Sequence, residues 1–206
     1  MMRSKGVVEM SRRLVHVNLS GYAGAGKSTI SPLLWSRHKS IWVPRITCRP
    51  VRSGEKLDAE YLFVTREEFA ERRARGEIII PSIHPALVEG DSPYHTGVLY
   101  PQYWPKPLPD TELLVSVFGK FAPQLKPIIK HKFVNILLAV SDEEELKRRL
   151  LSRGGEEKCR HHLGTNKTYK DTNIEAEFDY VVYNDGTPEE TVWQIEEIAG
   201  LPHPER

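Results

Sequence analysis

Hydrophobic residues fall into short apolar runs, separated by longer stretches with the spacing of helices. The runs predict strands at residues 14–19, 41–43, 61–64, 78–80, 113–118, 133–140 and 178–183. The runs at 113–118 and 133–140 are almost continuously apolar, as in parallel strands that are covered on both faces. Strands that alternate with helices in this way predict an α/β fold, in which helices flank a parallel sheet.

Capping sequences mark the ends of three predicted helices. In each, a Ser or Thr precedes a Glu by three residues, so that each side chain can bond the other residue's backbone N–H. The predicted helices begin at Thr65 with Glu68, Ser141 with Glu144 and Thr187 with Glu190, and they stop at Gly76, Gly154 and Gly200. Residues 81–110 are rich in proline and lack a long periodic run, which predicts a loop-rich segment.

The strongest chemical signal follows the first predicted strand. Residues 21–29 read G-Y-A-G-A-G-K-S-T and match the phosphate-binding pattern G-x-x-x-x-G-K-[ST]. Glycines let backbone N–H groups converge on a phosphate, and the next helix adds its positive N-terminal end. Lys27 is expected to reach the β- and γ-phosphates, and Ser28 to ligate Mg²⁺. The predicted ATP-binding loop comprises Gly21, Tyr22, Ala23, Gly24, Ala25, Gly26, Lys27, Ser28 and Thr29.

The alternative for this stretch is a glycine-rich turn with a surface lysine. The strand that runs straight into the loop favours the phosphate-binding interpretation, because the motif requires a strand, a loop and a helix in that order.

The chain as a whole has the size and composition of one globular domain, with 206 residues, 39% hydrophobic and 28% charged. Its formal net charge of +1 indicates no general surface for nucleic acid or membranes. Cys48 and Cys159 are too few for a disulfide scaffold or a zinc site and predict a reducing, cytoplasmic compartment. We find neither an apolar run of membrane-spanning length nor a signal-peptide pattern, and the histidines lack the spacing of metal ligands.

Arg49 and Arg52 form a second candidate phosphate site. They flank a turn stiffened by Pro50, and planar guanidinium groups suit a phosphate monoester. Tyr61 and Tyr94 carry phenolic hydroxyls that can donate to the same group. In isolation, this arginine pair is also consistent with a solvated loop.

Arg149 and Arg153 form a third candidate site. They are four residues apart in the predicted helix that ends at Gly154, so they lie on one helix face. Cations in such a position can offset the charge of a phosphoryl group in transfer. The alternative is a solvated helix face.

Together, the phosphate-binding loop and the sequences around the two arginine sites resemble the guanylate kinases. Residues 47–55 are similar to the pattern T-T-R-x-P-R-x-G-E, and residues 61–69 to D-Y-x-F-V-S-x-E-E-F. Residues 146–154 are similar to L-x-x-R-L-x-x-R-G, and Asn184 with Asp185 matches the family's N-D. The resemblance extends from the P-loop to the last predicted strand.

The resemblance implies a single P-loop NTPase domain over residues 1–206, with a three-layer core at 13–44 and 98–206. It further implies a small β lobe at 45–97 that binds the acceptor, called the acceptor lobe below, and a short lid at 154–176. The implied activity is ATP- and Mg²⁺-dependent phosphoryl transfer to a nucleoside monophosphate, with GMP or dGMP as the default acceptor. The implied partners are small nucleotides, with no nucleic acid or membrane, and the implied state is a monomer or homodimer.

Residue roles follow from the same resemblance. Arg149 and Asn184 join the P-loop at ATP. The implied catalytic residues are Lys27, Arg49, Arg149 and Arg153. The implied acceptor-binding residues are Arg49, Arg52, Glu55, Tyr61, Tyr94 and Thr96.

The departures from the family concern the base of the acceptor. Ile80 stands where the family carries its guanine-reading glutamate, and Arg45 replaces a serine. Residues 115–118 read V-S-V-F in place of L-D-x-D, so Phe118 replaces a second guanine reader and the Mg²⁺-organising aspartate is also missing. Glu89 and Asp91, in a longer loop, are candidate replacements.

Several functions therefore stay open beside transfer to a guanine nucleotide. The acceptor can carry a different base or be another small phosphorylated molecule, because base choice rests on buried hydrogen bonds. The rivals from other classes are an ATPase or GTPase switch and a non-catalytic binding scaffold of guanylate kinase type.

Overall fold

The computed structural model describes residues 14–51, 60–84, 93–171 and 174–203. Its strands are β1 (Val15–Gly21), β2 (Ser40–Val43), β3 (Arg45–Thr47), β4 (Tyr61–Phe63), β5 (Ser82–His84), β6 (Tyr94–Gly97), β7 (Leu113–Ser116), β8 (Lys132–Ala139) and β9 (Tyr180–Tyr183). Its α-helices are α1 (Lys27–Arg37), α2 (Arg66–Ala74), α3 (Glu143–Asp171) and α4 (Pro188–Ala199). Short 3₁₀ segments lie at Pro101–Tyr103, Gly119–Leu125 and Ile174–Glu177.

The core is a five-stranded sheet in the order β2–β7–β1–β8–β9, and every pairing in it is parallel. On one face, Ile30 of α1 and Ile195 of α4 pack against Val17 of the central strand. On the other face, Leu114 packs with Phe118 in a second hydrophobic cluster. The predicted α/β fold with a parallel sheet flanked by helices is therefore confirmed.

The central strand has one apolar and one polar face, and both are buried. His16 shares a 2.8 Å hydrogen bond with the Ser116 hydroxyl, which donates to Asn18 Oδ1 at 3.0 Å. Asn18 Nδ2 donates to Asn135 Oδ1 on the next strand at 2.8 Å. Burial, with His131 nearby, lowers the pKa of His16 well below its ordinary value of 6.5, so this ring is neutral at physiological pH. Ser116 is therefore part of a polar network that joins three strands.

A second sheet has the order β4–β3–β6–β5, and all four of its strands fall within residues 45–97. β3 pairs with β4 in parallel and with β6 antiparallel. Its strands β5 and β6 lie in the segment that was predicted to be loop-rich, so that prediction was too simple. The strand predicted at residues 78–80 is also wrong, because the structure has only an isolated bridge from Ile78 to Leu99 there.

Two of the three predicted helix starts are confirmed. The Thr65 hydroxyl accepts a hydrogen bond from the Glu68 N–H at 3.0 Å. Thr187 and Glu190 form the full reciprocal capping box, with bonds of 3.2 and 2.8 Å. The predicted stops at Gly76 and Gly200 have positive φ angles of 71° and 70°, which glycine adopts readily.

The predicted start at Ser141 is wrong, whereas the predicted stop at Gly154 is confirmed to within one residue. Helix α3 begins at Glu143, because Asp142 takes the capping role and accepts from the Glu144 N–H at 2.9 Å. The Ser141 N–H instead donates to the Asp185 carboxylate at 3.0 Å. The regular helix is broken at Gly155, where φ is 74° and ψ is −179°, and a second helix continues from this kink to Asp171.

Glu196 of α4 ties the end of α1 to the last helix. Its fully buried carboxylate accepts from Arg37 Nε at 2.7 Å, and shares bonds of 2.9 and 3.0 Å with His38 and His203. Burial on its own raises the pKa of this carboxyl, but the hydrogen bonds from Arg37, His203 and His38 outweigh it. The pKa of Glu196 therefore lies below its ordinary value of 4.5.

None of the helices in the described residues is long and apolar enough to cross a membrane. Cys48 and Cys159 are both buried free thiols.

Replacing Glu196 with Gln removes the charge that Arg37 faces in the interior. We expect a loss of about 3 kcal/mol in the free energy of unfolding, because one partner of a buried ion pair is left uncompensated. Urea denaturation at pH 7 measures this loss. The matched control is Glu197→Gln on the exposed side of α4, for which we expect a change within about 0.5 kcal/mol.

We also predict how the difference in stability between the wild type and Glu196→Gln depends on pH. The folded pKa of Glu196 is depressed, so its contribution is present above the ordinary value of 4.5 and is lost as the pH falls through the folded pKa. The stability gap between the wild type and Glu196→Gln should therefore shrink as the pH falls below 4.5. A gap that grows on acidification contradicts this assignment.

Candidate active site

The predicted phosphate-binding loop joins the end of β1 to the first turn of α1. Gly24 and Gly26 have φ angles of 85° and 95°, a region that side chains rarely permit. A Cβ atom on Gly26 would also lie 2.2 Å from Asn184 Nδ2. Glycine at this position is therefore required by the backbone and by its neighbour. The loop has the strand–loop–helix setting that the sequence predicted.

Lys27 lies across this loop, where its Nζ donates to the carbonyls of Gly21 at 2.7 Å and Tyr22 at 3.0 Å. Ser28 and Thr29 are exposed in the first turn of α1. A glycine cradle, an ammonium group and an exposed hydroxyl at a helix N-terminus together fit a polyphosphate with its Mg²⁺. Among the described residues there is no cluster of three or more His, Cys, Asp or Glu side chains for a metal ion.

Asn184 follows β9 and holds the loop from one side. Its Nδ2 donates to the Ala25 carbonyl at 2.9 Å, and its Oδ1 accepts from the Thr191 hydroxyl at 2.9 Å. Arg149 of α3 donates to the Asn184 carbonyl through both Nη atoms, at 3.2 and 3.1 Å. The structure thus brings Arg149 and Asn184, predicted at ATP, together beside the loop.

Glu145 orients Arg149, a contact that the sequence analysis missed. Its Oε1 accepts from Arg149 Nε at 2.7 Å, while both carboxylate oxygens also accept from Arg148. These bonds, first from Arg148 and then from Arg149, lower the pKa of Glu145 to about 2. The carboxylate therefore stays ionised throughout the physiological range. Arg153 is one turn further along α3, and its side chain is outside the described part of the structure.

Three of the predicted acceptor-binding residues, Tyr61, Tyr94 and Thr96, lie on one face of the second sheet. Successive residues of a strand point to opposite faces, and the register pairs Arg45 with Tyr61, and Thr47 with both Phe63 and Thr96. Residues that share this face are Arg45, Thr47, Tyr61, Phe63, Tyr94 and Thr96. The opposite face carries Ile46 and Leu62, which share a hydrophobic cluster with Phe69 of α2. The face that α2 leaves uncovered is thus the one that holds Tyr61, Tyr94 and Thr96.

Arg49 follows β3 and lies against the aromatic rings of this face. Its Cζ is 4.7 Å from the centroid of the Tyr61 ring and 5.0 Å from that of Phe63. Its Nη1 donates to the Pro50 carbonyl at 2.9 Å, and only 7% of the residue is exposed. Stacking and this bond hold the guanidinium group in place, as recognition of a phosphate by a planar fork requires.

Arg45 joins the same cluster, although the sequence analysis singled it out only as a departure from the family. Its Cζ is 4.6 Å from the centroid of the Tyr61 ring, and Nη2 donates to the Tyr61 hydroxyl. Its buried Nε has no hydrogen-bond partner within the described residues. The sequence feature that could have identified Arg45 is its spacing. It lies two residues before Thr47 and four before Arg49, and residues two apart in a strand share one face.

The remaining predicted positions fall into two groups. Arg52, Glu55, Glu89 and Asp91 are outside the described residues. Ile80 and Phe118 are 8% and 0% exposed and belong to the second hydrophobic cluster. These two positions therefore present apolar side chains.

No protein-family model matches the chain. Several individual proteins are nevertheless similar to the chain over most of its length. The guanylate kinase of Bifidobacterium longum is 32% identical over 173 residues, which cover 81% of this chain and 84% of that protein. The guanylate kinase of Clostridium perfringens strain SM101 is 29% identical over 199 residues, covering 93% and 85%.

A solved structure agrees with these relatives. The crystal structure of guanylate kinase from Anaplasma phagocytophilum matches with a TM-score of 0.56 and 26% identity, and the match covers 92% of this chain and 86% of that one. Sequence relatives over most of the chain and a solved structure over the same span point to one family. The chain belongs to the guanylate kinase family and is a nucleoside monophosphate kinase by that membership.

Proposed function

We propose that the chain transfers the γ-phosphoryl group of ATP, with Mg²⁺, to a nucleoside monophosphate, with GMP or dGMP as the default acceptor. The observation that carries this proposal is the presence of two separate anion sites on one chain. One is the glycine loop with Lys27, and the other is the stacked Arg49 on the face of the second sheet opposite α2.

The topology favours a cleft between these sites. In a parallel sheet all carboxyl ends meet at one edge, and ligands bind there. β1 ends in the glycine loop, β9 ends at Asn184, and β2 ends where β3 of the second sheet begins, with Pro44 between them. The acceptor lobe is thus attached at the edge of the core sheet that carries the loop.

The proposed donor site is the loop from Gly21 to Thr29, with Arg149 and Asn184 beside it. Backbone N–H groups of the loop would bind the phosphates, and Lys27 would exchange its carbonyl partners for phosphate oxygens. Ser28 would hold Mg²⁺, which when bound neutralises phosphate charge and fixes the geometry of the polyphosphate. Arg149, oriented by Glu145, would offset the charge of the transferring group, and Arg153 is proposed for the same role.

The proposed acceptor site comprises Arg49, Arg52, Glu55, Tyr61, Tyr94 and Thr96. The attacking oxygen belongs to a phosphate that is already anionic, so transfer requires no general base. What the chain contributes is position and charge compensation, which supply most of the catalysis in phosphoryl transfer.

The base of the acceptor is the open part of the proposal. Ile80 and Phe118 are buried apolar residues and provide no hydrogen bonds to a purine edge. A different base or another small phosphorylated acceptor is therefore the second candidate. A non-catalytic scaffold is less well supported, because such a domain has no need of the intact loop and Lys27.

The acceptor test uses purified protein, ATP and Mg²⁺ with a panel of ribo- and deoxyribonucleoside monophosphates, and follows ADP. We expect ADP only when an acceptor is present, with GMP or dGMP among the acceptors that support turnover. ADP formed equally without acceptor indicates an ATPase and contradicts the proposal. Turnover with other monophosphates but not with guanine nucleotides overturns only the assignment of the base.

Lys27→Ala tests the donor site. We expect kcat to fall on the order of 10³-fold, because a positioned cation at the transferring phosphate is lost. The control is Lys39→Ala, since Lys39 is exposed and pairs with Asp110 on the surface. A Lys27→Ala enzyme with wild-type turnover contradicts the assignment of this loop as the donor site.

Arg49→Ala tests the acceptor site. Because a charge-assisted bond to the acceptor phosphate is lost, we expect the acceptor KM to rise about 10- to 100-fold with little change in the KM for ATP. Arg49→Lys keeps the charge but not the planar fork, and should give an intermediate acceptor KM. Arg73→Ala, at an exposed arginine on α2, is the control. An unchanged acceptor KM in both Arg49 variants contradicts the role.

A further inference from the structure

Asn166, in the second half of α3, is hydrogen-bonded to the glycine loop through both atoms of its side-chain amide. The Ala23 N–H donates to Asn166 Oδ1 at 2.9 Å, and Asn166 Nδ2 donates to the Ala23 carbonyl at 3.1 Å. Asn166 is 4% exposed, and 143 residues separate the two partners. One side chain thus satisfies both backbone groups of the third residue in the loop.

A second bond reaches the same part of the loop from the segment after α3. The Tyr22 hydroxyl donates to Glu175 Oε1 at 2.9 Å, and Tyr22 is 2% exposed. Burial, and then the bond to Glu175, raise the pKa of Tyr22, so the hydroxyl keeps its proton in the physiological range. Ala23 also packs with Leu163 and Cys159 of α3 in a third hydrophobic cluster.

Asn166 and Asn184 lie at two points of one loop. Asn166 binds the peptide groups of Ala23, and Asn184 binds the Ala25 carbonyl at 2.9 Å. Gly24 lies between these two alanines and has a φ angle of 85°. A loop that is fixed on both sides of Gly24 has less conformational freedom to lose when a phosphate binds.

We propose that Asn166 is a positioning residue for the donor nucleotide: it fixes the Ala23 peptide so that the N–H groups that follow it converge on the phosphates. The inference rests on the proposed function, since it assumes that the loop binds ATP. Helix formation does not explain an asparagine here, because asparagine is a weaker helix former than alanine. Its buried amide instead makes two bonds that an aliphatic side chain cannot make.

The contacts of Asn166 also limit what the lid predicted at residues 154–176 can do. Gly155 interrupts α3 and is the natural hinge, with φ 74° and ψ −179°. Leu163, Asn166 and Glu175 all contact the loop or its cluster. A closing motion that keeps these contacts is therefore confined to the residues between Gly155 and Cys159, since Cys159 belongs to the same cluster.

The test measures ATP binding by calorimetry, and KM and kcat for both substrates, in Asn166→Ala and Asn166→Asp. Losing two hydrogen bonds to the loop should raise the Kd for ATP about 10-fold in Asn166→Ala, with the acceptor KM within about twofold of the wild type. Asn166→Asp keeps an acceptor for the Ala23 N–H but places a negative charge beside the Ala23 carbonyl and near the phosphates. Its Kd should therefore rise further. Lys167→Ala, at the exposed next residue, should match the wild type.

The outcomes separate this inference from the proposed function. A wild type that binds ATP but transfers to no acceptor overturns the proposed function, while the change in Kd still tests Asn166. If both variants bind ATP with the Kd of the wild type, the proposed role of Asn166 is overturned. Equal rises in the KM of both substrates with a lowered Tm indicate a structural role only, and also overturn it. A wild type that binds no ATP overturns both.

Discussion

The structure depends on how the glycine loop is held at the carboxyl edge of the parallel sheet. Its backbone has two positive φ angles, at Gly24 and Gly26, and side chains from distant parts of the chain hydrogen-bond its peptide groups. Asn184 is fixed by Thr191 of α4, and Arg149 is bonded to the Asn184 carbonyl. The same set of hydrogen bonds therefore fixes both the shape of the loop and the position of Arg149, the proposed catalytic arginine.

In the acceptor lobe, aromatic rings hold the charged guanidinium groups in place. The guanidinium groups of Arg45 and Arg49 both lie against the Tyr61 ring, and Arg49 also donates to the Pro50 carbonyl. Because the lobe follows directly after β2, its position is set by the same sheet edge that carries the loop. The two proposed binding sites thus use different groups, main-chain amides at the loop and stacked guanidinium groups in the acceptor lobe, which suits a reaction between two phosphates.

The sequence predicted what depends on local pattern and missed what depends on distant contacts. The phosphate loop, the parallel core and the caps at Thr65 and Thr187 were readable because each is encoded within a few neighbouring residues. The start at Ser141 was misassigned because the next residue, Asp142, is also a good cap, and only the partner Asp185 shows where the Ser141 N–H is used. The contacts of Glu196 with Arg37 and of Asn166 with Ala23 carry no local signal, since 159 and 143 residues separate the partners.

The central claim is that the two anion sites act on one pair of substrates. It is tested most directly by the affinity of a bisubstrate ligand, in which adenosine and the acceptor nucleoside are joined through five phosphates. Linking two sites raises the effective concentration of the second group, so we expect this ligand to bind at least about 10²-fold more tightly than ATP, and Arg49→Ala to remove most of that gain. Binding no tighter than that of ATP, in the wild type as in Arg49→Ala, would contradict the account.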